Sequence, residues 1–259
     1  MMNNESIDNL NESLIKVPVW DIWIRISHWA LLILISLCYY TAEIGGLNFR
    51  IPILDVVIIN MEIHLISGLL ILVILIFRIL WGFFGSDTSS FLMMVKSAKL
   101  SLSYIRKLHK KKTQLHIGHN PTGAISVFVI IFVLFIQAAS GLFSQDDSFF
   151  PTQGPLTHLI SNDDSTAITK FHKLWWEYMV IFIIGIHITA SLFYLIIKKQ
   201  NLILPLFNGK KILPISADYK TLKFGSTRLA LTLLLIAFST IIIIANSEKL
   251  QDAFLILAS

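Results

Sequence analysis

The chain has 259 residues, of which 55% are hydrophobic and only 14% charged, with a mean hydropathy of +0.72. Soluble domains carry nearer a quarter charged residues, so this composition excludes a soluble enzyme built on one buried core, and equally a disordered chain. The formal charge of +5 leaves a nucleic-acid partner open only until the positions of the charges are read.

The first sixteen residues are polar and include Glu5, Asp8 and Glu12. A secretory signal has a basic start and a short apolar core, so the first apolar helix is expected to be retained. A bilayer core needs roughly 20 mostly apolar residues in a helix. Five segments meet this: 22–40, 63–84, 121–143, 171–197 and 229–245. The run Ile51–Ile59 contains Pro52 and Asp55, is too short to span, and is read as an interfacial loop. The lone cysteine, Cys38, lies in the first span and reads as a small buried hydrophobe. One cysteine excludes an intrachain disulfide, and the absence of C-x-x-C-H excludes covalent c-type haem attachment.

Lys and Arg orient the spans. The loop after the second carries Lys96, Lys99, Arg106, Lys107, Lys110, Lys111 and Lys112. The loop after the fourth carries Lys198, Lys199, Lys210, Lys211, Lys220, Lys223 and Arg228. Lys16, Arg25 and Arg78 fall on the same side, whereas the opposite side has only Arg50, Lys170, Lys173 and Lys249. The positive-inside rule then puts the N-terminus in the cytoplasm and the C-terminus in the periplasm. Topology accounts for the basic charge, and a nucleic-acid partner loses its support. The outer loop before the fourth span is acidic (Asp146, Asp147, Asp163, Asp164) and reads as a solvated loop or a dock for a basic partner.

The expected fold is an all-α membrane protein: a four-helix transmembrane bundle plus a fifth C-terminal transmembrane helix. The chain divides into a cytoplasmic N-terminal segment (1–20), the bundle (21–200), a basic cytoplasmic linker (201–228), the fifth helix (229–247) and an external tail (248–259). The fifth helix is purely apolar, and an anchor or a partner-contact helix would look the same.

Ionisable groups inside a membrane are rare and default to function. Of eight histidines, His109, His116, His119 and His158 fall in loops, while His28, His64, His172 and His187 fall in spans. Alternating topology puts His28 and His187 near the cytoplasmic end. His64 and His172 open their helices from the outside. Two pairs at two depths result: His28 with His187, and His64 with His172. His172 and His187 are fifteen residues apart, which is roughly 22 Å along a regular helix and about 60° around it. Two imidazoles facing each other across a bundle form a coordinatively closed haem site suited to electron transfer. Gly68, Gly185, Ala190, Ser191, Ala138, Ala139, Ser140 and Gly141 lie near the ligands, where a flat macrocycle needs room; ordinary helix packing gives the same pattern. Arg25 and Arg78 suit haem propionates, and Arg78 beside Trp81 also suits an interface anchor. Zinc is a weaker rival, because Glu62 and Glu177 complete no tetrahedral set.

Val17-Pro18-Val19-Trp20-Asp21, Arg25 and His28-Trp29 resemble the opening of the bacterial cytochrome b561 / nickel–iron hydrogenase b-type cytochrome family. His64, Ser67-Gly68, the run Phe77 to Gly82, the run Gly118 to Ala124, Phe171-His172, His187 and Asn201 to Lys211 continue the likeness in order. The resemblance spans about residues 17–211. It implies a bundle in the bacterial inner membrane with two b haems ligated from helices one, two and four. It also implies electron transfer between membrane quinone and a redox partner, namely a hydrogenase, another dehydrogenase or a c-type cytochrome, with the partner on the periplasmic side. Such a chain works as an electron-transfer cytochrome or as the quinone-reactive subunit of an oxidoreductase, and a homodimer is compatible with either. His119 matches the family's loop motif outside the ligand set, and a role at the helix entry, a propionate or quinone stays open. Two rivals remain at this point: a transporter or channel with a His-lined proton or metal path, and a passive membrane anchor.

Overall fold

The computed structural model describes residues 14–51, 56–107, 116–146, 151–214 and 222–251. Glu5, Asp8, Glu12, Pro52, Asp55, His109, Lys110, Lys111, Lys112, Asp147, Lys220 and the tail from residue 252 lie outside them.

In chain order the elements are β1 (Leu14–Pro18), α1 (Ile22–Tyr39), β2 (Phe49–Ile51), β3 (Val56–Ile58), α2 (Asn60–Phe84), α3 (Phe91–Ala98), α4 (Ser101–Lys107), α5 (Pro121–Gly141), β4 (Gln145–Asp146), β5 (Thr152–Gln153), α6 (Asn162–Trp175), α7 (Ile181–Ile196), α8 (Leu204–Asn208), β6 (Lys210–Pro214) and α9 (Thr227–Ala245). Five helical stretches are long and apolar enough to cross a membrane: Ile22–Ile44, Asn60–Phe84, Pro121–Gly141, Asn162–Ile196 and Thr227–Ala245. The chain is a multi-pass helical membrane protein.

Three local expectations change. The fourth span begins at Asn162, nine residues before its apolar run. Ser161 caps it: its Oγ accepts from the Asp164 N–H at 3.1 Å and donates to the Asp164 carboxylate at 2.7 Å. Asp163 and Asp164 therefore belong to the first helical turn, where carboxylates complement the helix dipole, and not to a loop. A hydropathy window misses that polar turn, so His172 sits well inside the helix instead of opening it. Ser161→Ala should lower stability by about 1 kcal/mol, read as a lower thermal midpoint in detergent; an unchanged midpoint would show the cap to be dispensable.

Secondly, a π-helical turn, Trp176–Val180, separates α6 from α7. Its wider turn breaks the regular phase, so the 60° offset between His172 and His187 no longer follows from sequence spacing. Thirdly, part of the run Ile51–Ile59 is strand: β2 and β3 pair antiparallel, Phe49 opposite Ile58. A second π turn, Tyr40–Ile44, extends α1.

Contacts sort the chain into two units, and each spanning helix contributes a stretch to both. The first comprises residues 1–26, 81–127 and 187–230. Within it β1 pairs antiparallel with β6, Leu14 opposite Pro214, joining two segments far apart in the sequence. Gly209 fixes the corner. Its φ of +76° is left-handed, its carbonyl accepts from the Val19 and Trp20 N–H groups, and a Cβ there would lie 2.7 Å from the Trp20 carbonyl oxygen. Asp21 caps α1 through the Ile24 N–H at 2.8 Å and accepts from Trp81 Nε1 at 3.1 Å. The Trp81 indole is fully buried, wedged against Gly85 and Gly225, where a Cβ would come within 2.5 Å of it. Lys211 Nζ donates to the His116 and Gly118 carbonyls at 3.3 and 3.1 Å. Burial pushes its pKa down to about 8. Burial, and Lys211 in turn, lower that of His116.

The second unit comprises residues 27–80, 128–186 and 231–259. Its core is Ile71 and Leu75 of α2, Val133 and Leu134 of α5 and Val180 of the π turn, with Leu31, Ile35, Trp175 and Trp176 packed on them. Trp175 Nε1 donates to the Val133 carbonyl at 3.1 Å, pinning α6 to α5. Leu231, Leu234, Leu235 and Phe238 of α9 share an apolar groove with Leu34 of α1 and with Leu70, Val73 and Ile74 of α2. The fifth helix thus packs on the bundle.

Candidate haem site

The second unit contains a chamber of about 760 Å³ lined from α1, α2, α5 and α6. That lies within the range of about 300–1,000 Å³ usual for cofactor sites. His64 of α2 and His172 of α6 enter it and face each other, with ring centroids 6.3 Å apart and planes at 76°.

Each ring is held by its Nδ1. His64 Nδ1 lies 3.0 Å from the Cys38 carbonyl, which can only accept, so this nitrogen carries the proton. Thr41 Oγ1 is 3.1 Å from the same nitrogen. His172 Nδ1 lies 3.0 Å from Ser140 Oγ, whose own proton is donated to the Gln137 carbonyl at 2.8 Å. Ser140 therefore accepts from His172. The Cys38 carbonyl and the Ser140 hydroxyl suit a proton on Nδ1 of each ring, which leaves Nε2 as the lone-pair nitrogen, the arrangement that metal-binding histidines need. The Gln137 side-chain amide nitrogen lies 3.0 Å from His172 Nε2 and 3.3 Å from its Nδ1. Its Oε1 is buried with no partner among the described residues.

The residues of the chamber fit a haem. An imidazole nitrogen binds a metal at about 2.0–2.1 Å and lies about 1.2 Å from its ring centre, so two rings that hold one ion stand at most roughly 6.4 Å apart. The 6.3 Å between the His64 and His172 rings is within that limit. Among the described residues no three His, Cys, Asp or Glu side chains converge on a metal position. Two imidazoles alone leave a bare ion under-coordinated, whereas a porphyrin brings four in-plane nitrogens. The small residues leave room. A Cβ on Gly68 would meet nothing within 4 Å, and one on Gly141 would crowd His172 Cε1 at 3.3 Å.

The family model of prokaryotic cytochrome b561 matches residues 19–209. The chain belongs to the prokaryotic cytochrome b561 family. No curated protein and no solved structure matches it. Membership makes it a membrane b-type cytochrome: it binds b-type haem and serves electron transfer. The matched range takes in four of the spans and ends at Gly209, the corner of the β1/β6 ribbon, so α9 lies beyond the family's shared region.

The other predicted residues divide between the units. His28 belongs to the second, its ring edge-on to Trp29 at 5.6 Å. His187 belongs to the first, its carbonyl accepting from Ser191 Oγ at 2.9 Å. Arg25, in the first, donates to the Phe207 carbonyl and to that of Asp21 at 3.4 Å. Arg78 is half-buried on α2 in the second. His119 stacks obliquely on Trp20, with centroids 4.7 Å apart. Glu62 caps α2 through the Ile59 N–H at 2.9 Å, which engages it outside the chamber, while Glu177 lines the chamber.

Sequence reasoning missed the residues that orient the two rings. In the sequence Ser140 reads only as a small residue, and Gln137 and Thr41 carry no motif. The signal that finds them is the one that found the histidines: a lone amide or hydroxyl inside an apolar span.

Proposed function

We propose that this cytochrome holds two b haems, one between His64 and His172 and one between His28 and His187, and moves electrons across the membrane between quinone and a redox partner. The observation that carries the reading is the facing pair His64 and His172, each with an acceptor at Nδ1, opening into one chamber. The pairing of His28 with His187 rests on their common depth in the sequence topology. A bound haem would supply reversible one-electron iron chemistry, and held by two imidazoles it would favour electron transfer over oxygen binding. The chain's own residues do the rest. The two imidazoles orient and donate to the metal, the apolar walls from α1, α2 and α5 exclude water, and Arg25 and Arg78 neutralise propionates.

The excess of Lys and Arg on one set of loops supports a cytoplasmic N-terminus and a periplasmic C-terminus, and a redox partner then docks on the periplasmic side. A pyridine haemochromogen assay on the purified chain is expected to give about two b-type haems. His187→Ala should remove one and leave the other. A colourless protein would sink the haem reading in favour of a transporter or channel, and retention of both haems in the variant would sink the pairing. Slow or absent reduction by quinol and by candidate partners would leave a passive anchor.

A further inference from the structure

The two facing histidines are oriented by unequal partners. His64 donates its Nδ1 proton to a main-chain carbonyl, that of Cys38, at 3.0 Å. His172 donates to a side chain, Ser140 Oγ, at 3.0 Å, and that hydroxyl is polarised because it donates onward to the Gln137 carbonyl at 2.8 Å. Ser140 lies one turn from Gln137 on α5, so backbone geometry holds the hydroxyl in place with no further partner. The neighbouring residue, Gly141, is where a Cβ would press on the His172 ring at 3.3 Å. One turn of α5 thus sets both the tautomer and the position of the ring.

Resting on the haem reading above, we propose that Ser140 is a positioning residue for His172. By accepting a hydrogen bond from Nδ1–H it makes His172 the stronger electron donor at Nε2 and so lowers the reduction potential of the haem that His64 and His172 hold. The physical reason is general: a hydrogen bond accepted from the far nitrogen of a ligating imidazole raises its basicity, and a more basic axial ligand favours the oxidised iron. The Gln137 amide nitrogen, which lies 3.0 Å from His172 Nε2, must leave that nitrogen when a metal binds it. Its unpartnered Oε1 shows that its present pose is not held at both ends.

The test is a spectroelectrochemical titration of the full-length holoprotein in detergent, comparing unsubstituted chain, Ser140→Ala and Ser140→Thr. His64→Ala assigns the potentials, because the haem it retains is the other one. Ser140→Ala is expected to keep its haems and shift one midpoint, that of the His64/His172 haem, to more positive potential, with Ser140→Thr returning it toward the original value. A haem-loaded Ser140→Ala with both midpoints unchanged overturns the proposal, and so does a shift that Ser140→Thr fails to reverse. Loss of this haem in Ser140→Ala but not in Ser140→Thr supports the hydroxyl's role, while loss in both overturns it. Failure of the underlying reading looks different: the unsubstituted chain itself carries no haem.

Discussion

Replacing His172 with Ala is expected to empty the chamber between α2, α5 and α6 and to lower the haem content from about two per chain to about one. His64→Ala should do the same, because in the proposed pairing both rings hold one metal. The double variant should lose no more than either single one, the non-additivity of two residues serving a single site. Absorbance of the reduced protein and a haemochromogen assay measure this directly. Additive losses, with the double variant colourless while each single retains about one haem, would show that the 6.3 Å approach of the rings does not reflect a shared ligand. The helices should survive either change, because both rings are only half-buried and the core of Ile71, Leu75, Val133, Leu134 and Val180 is untouched.

The second large effect is on stability. Trp81→Ala should cost about 3–5 kcal/mol, the usual penalty for deleting a fully buried aromatic side chain. In a chain of this size that lowers the thermal midpoint by about 10 °C or more. Two features favour the upper end. The indole packs against Gly85 and Gly225, which have no side chains to move into the gap. Its N–H also pairs with the carboxylate that caps α1, that of Asp21. Trp81→Phe separates the two contributions by keeping most of the packing and losing only the hydrogen bond, at about 1–2 kcal/mol. A midpoint for Trp81→Ala within a degree or two of the original would mean that the slot is not a stability element. The His64/His172 haem should be retained in this variant, since Trp81 is not among the residues that line that chamber.

What hydropathy and spacing make legible here is one-dimensional. Each apolar run of some 20 residues must be a helix, because lipid offers the backbone no other partner; five spans therefore follow from composition alone. His64 and His172 stand out for the same reason, since a titratable ring in an apolar run is costly without a role. The segments Val17–Asp21 and Asn201–Lys211 carry the family likeness, yet nothing local announces that β1 and β6 pair, as the bonds of such a ribbon join residues almost two hundred positions apart.

Polar chemistry at the helix ends escapes the sequence for a related reason. Ser161 and Asp164 start a helix in a stretch that hydropathy scores as loop. The π turn at Trp176–Val180 resets the phase of a helix whose sequence looks continuous. The amino-acid sequence by itself determined a membrane bundle of five spans with four histidines inside apolar runs, because apolar length and stray charge are properties of single segments. Only the tertiary structure decided that His64 and His172 share a chamber. It alone showed that Cys38, Thr41, Ser140 and Gln137 orient their rings, and that Trp81 sits between two glycines. Those facts depend on distances between helices, which no run of residues encodes alone.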